Sequence, residues 1–464
     1  MVFTSAEFLF LFFPVFLACY ALSPVRFRNS TLLAFSYLFY AWWSPAFTFL
    51  MAALTILAWL GGLMLQTRHR GPWLLGMLVA VNAGVLFWFK YANLGAEAYA
   101  HWQVWRGHLP PHWDRVALPI GLSFIVLQAI SYLVDVYRGQ VQAQRSLVLF
   151  ATYIAMFGQL IAGPILRYDW VQAALLQRPF GWPGLQEGAR RFMIGLSMKV
   201  LIADTLSPLV DALFALPDPG FIDAWLACLA YSVQLLFDFA GYSAMAIGIG
   251  LMLGFRFPEN FRQPYSARSI QEFWRRWHIS LSTWIRDYLY IPLGGSRVAP
   301  WRAYANLVLV MAIGGLWHGS DNLNFLLWGV AHGAAQAIAK AWGRTPWRLP
   351  DWLGHCLTLL FVFLAWTVFR SPDLPTAGVF YRAQLGLSGW GPSDVTLTTW
   401  RYWHGWALAA GLLLALRQER SLPACRGHAG TFAGLRQAWP VLLFWVSLGF
   451  VLSRQSVPFL YFQF

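Results

Sequence analysis

The sequence predicts an all-α, polytopic membrane protein, and three observations carry that reading. Hydrophobic residues make up 58% of the chain and charged residues only 11%, whereas soluble domains carry roughly 25% charge. Apolar runs close to the ~20 residues needed to cross a bilayer recur from one end to the other. The aromatic load is heavy, with 27 tryptophans and 37 phenylalanines, as suits interfacial belts and groove linings. The runs amount to about eleven transmembrane helices plus one or two re-entrant or interfacial pieces. They form a single integral-membrane domain over residues 1–464, ending in an aromatic tail at 457–464, with no soluble domain and no internal repeat.

The elements follow in order. Phe3–Leu22 is the first span; no basic stretch precedes it, so it reads as a retained helix and not a cleaved signal. Leu32–Trp43 and Phe47–Leu65 form a hairpin broken at Ser44-Pro45, because proline disfavours helix in the residue before it. Trp73–Phe89 crosses next, and Lys90–Arg115 reads as a polar loop around Pro110-Pro111. Leu118–Tyr137 returns. Leu147–Leu166 ends in Gly158-Gln159-Leu160-Ile161-Ala162-Gly163-Pro164. Glycine and proline so close together predict a broken or re-entrant segment, tolerated at membrane depth where it is buried in protein or lines a cavity. Phe192–Leu216 carries Lys199 and Asp204. Ala224–Leu253 carries Phe237-Asp238-Phe239 and the glycines Gly248, Gly250 and Gly254, read as close-packing positions because they lack the spacing of a nucleotide loop. Asn306–Leu316, Phe325–Ala341, Leu357–Phe369, Trp406–Leu416 and Val441–Leu452 complete the set. Arg26, Arg28, Arg68, Arg70, Arg138 and Arg145 lie in alternate connections, which the positive-inside bias places in the cytoplasm with the N-terminus outside.

The net charge is +14, from 33 Lys and Arg against 19 Asp and Glu. A nucleic-acid partner is the usual reading of such a balance, but here the charge does not sit on a soluble patch, so none is expected. Orientation bias explains part of it, and a polyanionic cytosolic substrate explains more. The four cysteines, Cys19, Cys228, Cys356 and Cys425, form no C-x-x-C pair, and three lie in apolar runs. They read as small buried hydrophobes, with neither a metal site nor a disulfide.

The chemistry concentrates between Ser269 and His318. Ser269-x-x-Glu272 is a capping-box pattern, so a helix starts there. Continued through the stretch, that helix places Trp274, His278, Leu281 and Ile285 on one face and Arg275, Ser282 and Arg286 on another. A lone histidine on an apolar face is usually a packing residue, and basic residues beside a span usually mark an interface. Here, however, Arg262, Arg268, Arg275, Arg276, Arg286, Arg297 and Arg302 crowd one stretch. Arginine grips phosphate through paired N–H donors, so Arg275, Arg276 and Arg286 are candidates for binding a phosphate-bearing donor. His318 follows Gly314-Gly315-Leu316-Trp317 and precedes the turn signal Gly319-Ser320-Asp321-Asn322. A near-neutral histidine at a helix end in an apolar setting is suited to take a proton from a hydroxyl. His332 reads as packing or support. No G-x-S-x-G elbow, H-E-x-x-H motif or phosphate-binding glycine loop occurs.

The chain resembles the membrane-bound O-acyltransferase family, in its branch of bacterial alginate O-acetylation membrane subunits. The residues that carry the resemblance run from Met1-Val2-Phe3 and Tyr37-Leu38-Phe39-Tyr40-Ala41-Trp42-Trp43 through Gln159-Leu160-Ile161-Ala162-Gly163-Pro164 and Pro258-Glu259-Asn260-Phe261. They continue with Glu272 to Ser282, Ile291-Pro292-Leu293-Gly294-Gly295, Gly315-Leu316-Trp317-His318-Gly319 and Phe459-Leu460-Tyr461-Phe462-Gln463-Phe464. The resemblance implies helices around a central tunnel in the bacterial inner membrane, and catalytic roles for His318 and His278. It implies acetyl-CoA as donor substrate, with no tightly bound cofactor. It also implies a periplasmic O-acetyltransferase partner that modifies an exopolysaccharide: alginate first, cellulose or another polymer as the alternative. Ala240 and Ala244 depart from the family's usual Ser and Asp, and Gly158 from its proline. The aromatic tail reads either as an interfacial anchor or as part of the transfer path, with Tyr461 a candidate acyl relay. A transporter or flippase, or a non-enzymatic anchor for a secretion complex, would share the spans, but neither needs two histidine motifs.

Overall fold

The computed structural model describes residues 1–67, 71–160, 163–319, 322–417, 432–454 and 459–460. All regular elements among them are helical. The chain packs as two compact units, residues 1–188 with 246–258, and residues 189–245 with 259–464.

The first unit opens with a π-helical turn, Phe8–Phe12, leading into α1, Phe13–Leu22. Its core is aromatic: Phe8, Phe12 and Phe16 close around Phe39 and Phe157, with Phe16 and Phe157 centroids 4.9 Å apart in an edge-on contact. The hairpin breaks where the sequence predicts. α2 covers Arg28–Trp43 and α3 covers Pro45–Leu65. Between them Ser44 is extended, accepts the Phe47 N–H and hands over to Pro45, whose fixed φ suits a first helical turn. α4 corrects an expectation, because Pro72–Trp105 is one continuous helix. The segment from Lys90 to Trp105 is therefore no loop. Its polar residues space like a helix face, and Lys90 itself is buried, so polarity alone does not mark a loop here. α5 is Leu122–Tyr137. The broken segment exists but starts earlier than its glycine: α6 (Leu147–Ala155) ends at Met156, and α7 is the short Phe157–Leu160. The Ser36 hydroxyl accepts the Phe157 N–H and secures the new turn. α8, Tyr168–Leu176, was not foreseen.

α9 is Trp182–Ser197, Met198–Ala203 is π-helical, and α10 is Asp204–Phe214. α11 runs from Phe221 to Met252. Of its glycines, Gly248 packs closely, since a Cβ on Gly188 would strike its carbonyl oxygen. Gly254 packs closely as well, against loop backbone, since a Cβ there would strike Pro179 O. Its φ of 86° makes it the left-handed residue that ends the helix, where Phe255 N–H returns to Gly250 O at 2.8 Å.

In the second unit α12 (Ile270–Arg276) and α13 (Ile279–Ile285) lead to a π-helical turn at Arg286–Tyr290. α14 (Pro300–His318) and α15 (Asn324–Trp342) form its tightest pair. A Cβ on Gly315 would lie 3.0 Å from Gly329 Cα and collide with Phe325 O, and one on Gly329 would collide with Met311 O. The two backbones therefore touch, as small residues allow between helices in lipid. α16 (Asp351–Arg370), α17 (Leu374–Gln384), α18 (Asp394–Thr399), α19 (Tyr402–Leu416) and α20 (Phe432–Ser453) complete the chain.

Five stretches among the described residues are long and apolar enough to cross a membrane: Pro45–Leu65, Pro72–Trp105, Trp182–Phe214, Phe221–Met252 and Asp351–Arg370. Shorter apolar helices include Phe8–Leu22, Leu122–Tyr137 and Leu147–Leu160. The protein is thus a multi-pass helical membrane protein.

Candidate active site

His278 does not sit within a helix. Ser269 caps α12 as expected, its Oγ accepting the Glu272 N–H at 3.2 Å. The Glu272 carboxylate, however, takes the Arg268 N–H at 2.8 Å, one residue before the position a capping box requires. Partial burial pushes the Glu272 carboxyl up, but the Arg268 N–H and the Arg276 guanidinium outweigh it and hold it below the usual carboxylate range. α12 then ends at Arg276. Trp277 is extended and His278 is left-handed, with φ 43° and ψ 55°. The single face of Trp274, His278, Leu281 and Ile285 is therefore broken between its first and second members, and so is the second face through Arg275, Ser282 and Arg286. Strained backbone of this kind survives where the surroundings over-determine it, and it clusters at functional sites.

Asn260 supplies the over-determination. Its backbone carbonyl accepts the Ile279 N–H at 2.9 Å, and its Oδ1 accepts from Ser280 N and Ser280 Oγ at 3.2 and 2.9 Å. The Ser280 N–H can only donate, so this atom is the amide oxygen. His278 Nδ1, 3.2 Å from it, must therefore carry the proton and donate. That leaves Nε2 of His278 as the basic nitrogen, buried and without a hydrogen-bond partner among the described residues.

His318 is the last residue of α14, one turn beyond the Gly315 contact, and is 7% exposed. Its ring lies 6.5 Å from that of His278, centroid to centroid. Trp328 and Phe369 wall it edge-on at 5.4 and 5.7 Å. His332 supports this wall: it packs 4.7 Å from Trp328 and accepts the Trp274 indole N–H at 3.2 Å, in keeping with its packing role. His318 borders a cavity of about 20 Å³, enough for roughly one water. Asp238, Phe459 and Leu460 border the same cavity. Phe459 and Leu460 thus reach the histidine pocket, and both are buried. Tyr461 lies outside the described residues.

The arginine candidates divide. Arg276 is committed to Glu272 at 2.7 Å and to Ser266 at 3.2 Å, and Arg286 to Asp287 at 2.6 Å. Arg275 is exposed and acts electrostatically on Glu272. A larger apolar pocket of about 740 Å³ elsewhere in the second unit is lined by Ala240 and Ala244, with the ion pair of Arg191 and Glu259 at its wall. No group of three or more His, Cys, Asp or Glu that could hold a metal occurs among the described residues.

Two parts of this arrangement were not anticipated. Asn260 was recognised only as part of a motif, and its role depends on a contact 18 residues away in sequence. Asp238 was seen as a motif residue, but its partners lie on other helices.

A helical membrane protein with paired buried histidines in an aromatic pocket has the makings of an acyl-transfer enzyme, and the comparisons agree. Residues 140–371 match the membrane-bound O-acyltransferase family. The chain is 48% identical over 403 residues to a probable alginate O-acetylase of Azotobacter vinelandii, covering 85% of this chain and 80% of that one. It is 43% identical to the corresponding protein of Pseudomonas putida over the full length of both. A peptidoglycan O-acetyltransferase of Helicobacter pylori is 34% identical, over 84% of this chain and 80% of its own. The chain belongs to the membrane-bound O-acyltransferase family, and it is an acyltransferase.

Proposed function

We propose that this enzyme takes acetyl from cytosolic acetyl-CoA and passes it across the bacterial inner membrane to a periplasmic acetyltransferase that modifies an exopolysaccharide, alginate first. The relatives' names support the polymer and the acetyl group. The observation that carries the chemistry is the histidine pocket, with two buried rings 6.5 Å apart and Phe459 and Leu460 at its wall.

In this reading His318 is the general base or orients the attacking hydroxyl, with His278 as its partner. The hydroxyl oxygen attacks the thioester carbonyl while its proton passes to imidazole. The C–S bond breaks, and the coenzyme A thiolate takes up a proton as it leaves. Arg275, Arg276 and Arg286 are the candidate contacts to the donor's phosphates, with Arg275 foremost because its side chain is exposed. Tyr461, the residue after the buried Leu460, is the candidate hydroxyl that receives the acetyl and hands it on.

The test is polymer acetylation in cells carrying His318→Ala. The variant is expected at normal level in the membrane, with acetylation down by roughly a hundred- to ten-thousandfold. Near-normal acetylation overturns the assignment.

A further inference from the structure

Lys199, in a helix of an apolar protein, is 2% exposed and lies 2.5 Å from both Asp204 Oδ1 and Asp238 Oδ1. Local geometry explains the first pairing. Met198–Ala203 is π-helical, and a π-turn bonds i to i+5, which brings Lys199 and Asp204 into register where an α-helix would splay them. The second pairing follows from helix contact. A Cβ on Gly195 would lie 2.5 Å from Gly241 O, and one on Gly241 would lie 3.0 Å from Lys199 N. That close approach sets Lys199 against Asp238, one turn before Gly241.

One lysine between two carboxylates leaves an excess negative charge, and the C-terminal segment answers it twice. Arg454, just past α20, acts electrostatically on Asp204 and reaches Thr205 Oγ1 at 3.5 Å. Six residues on, the Leu460 N–H donates to Asp238 Oδ2 at 3.0 Å. Between the buried charges and the histidine cavity, Phe459 packs on Tyr242 and Phe239 at 4.9 and 5.6 Å. A buried ion triad is poor value as stability, since apolar residues of similar volume often do as well. Its geometry does specify one position of one strand of backbone.

We propose that Lys199, Asp204 and Asp238 form a clamp that fixes the C-terminal tail at the wall of the His318 cavity, Asp238 holding the Leu460 N–H and Arg454 fastening the segment before it. These are positioning residues. The clamp rests on the acyl-transfer reading only for its consequence, and its existence is tested separately. Intact protein in detergent is treated with carboxypeptidase Y, which also releases proline, and digestion is followed by mass. Trimming of the wild type is expected to stall at Leu460. Asp238→Ala is expected to be trimmed past Leu460 roughly ten- to a hundredfold faster, the equivalent of losing a hydrogen bond to a charged group. Leu460→Pro, which removes the N–H and leaves the buried charges intact, is expected to do the same, and it decides the matter if Asp238→Ala does not fold. In acetyl transfer, Leu460→Pro should lower kcat and leave the donor KM unchanged. Trimming of folded Leu460→Pro no faster than wild type overturns the clamp. Fast trimming with unchanged kcat overturns its role in positioning. Should the wild type show no acetyl transfer at all, the acyl-transfer reading fails while the trimming result still stands.

Discussion

His278 donates its Nδ1 proton to Asn260 Oδ1 at 3.2 Å, from a backbone held left-handed at φ 43°. The same amide oxygen takes the Ser280 N–H, so the tautomer follows from geometry, and the second imidazole nitrogen is the basic one. Asn260→Ala removes the constraint on both tautomer and ring orientation. A buried donor left unsatisfied costs about 1–3 kcal/mol. We expect kcat to fall by roughly ten- to a hundredfold, with the donor KM little changed. Steady-state kinetics of the purified variant check this; an unchanged kcat would show that the tautomer is immaterial.

The two histidines are expected to act as a unit. Groups that share one proton path are strongly non-additive when removed singly and together. His278→Ala, His318→Ala and the double variant should therefore all show nearly the same residual rate. Additive losses in the double variant would mean that the rings, 6.5 Å apart, work independently.

Arg275 and Arg276 are adjacent but should fail differently. Arg276 pairs with Glu272 within α12 and bonds Ser266, so Arg276→Ala should lower Tm by about one degree, in line with losing about 1 kcal/mol from a chain of this length. Arg275 is exposed and acts on Glu272 only through its charge, so Arg275→Ala should nearly keep Tm while raising the apparent KM for acetyl-CoA. Calorimetric titration of acetyl-CoA in detergent separates them. Unchanged binding in Arg275→Ala would make the arginine a mark of membrane orientation only.

Much of this was legible in the sequence, for physical reasons that also explain the misses. Hydropathy locates spans because a bilayer demands length and apolarity, and Ser44-Pro45 and Ser269 announce their boundaries through local backbone chemistry. The helix break at Trp277-His278 has no such signal. It contains neither glycine nor proline, and the left-handed residue is held by Asn260, far along the chain. The continuous α4 was missed because polar residues on a helix face read like a loop. The clamp was half visible: Lys199 and Asp204 stood out as charges in an apolar run, but the π-turn that joins them and the Asp238 contact are tertiary facts.

Tyr461 separates anchor from relay. Tyr461→Phe keeps the ring and nearly all its apolar area while deleting the hydroxyl. An anchor at a membrane interface loses little; a nucleophilic relay loses everything, because the covalent intermediate cannot form. We expect exopolysaccharide acetylation to stop with the protein level unchanged, and full acetylation eliminates the relay.

Gly315→Ala tests how His318 is placed. Alanine is the better helix former by about 1 kcal/mol, which on propensity alone would favour the change. Here the added methyl would collide with Phe325 O and lie 3.0 Å from Gly329 Cα. Both are backbone, so no side chain can swing aside, and α14 must move away from α15. Overpacking of this kind costs roughly 1–3 kcal/mol and outweighs the propensity gain. His318 stands one turn later on the same helix, with Trp328 of α15 forming its wall at 5.4 Å. Separating the helices therefore displaces the imidazole from its pocket. We expect a lower Tm and a larger loss of acetyl transfer than the stability change alone explains, since small misplacements of catalytic groups cost about a hundredfold. Gly84→Ala in α4, where an added methyl meets nothing within 4 Å, is the control and should keep activity, with Tm at or slightly above wild type. Wild-type activity and Tm in Gly315→Ala would show that the glycine contact does not set the position of His318.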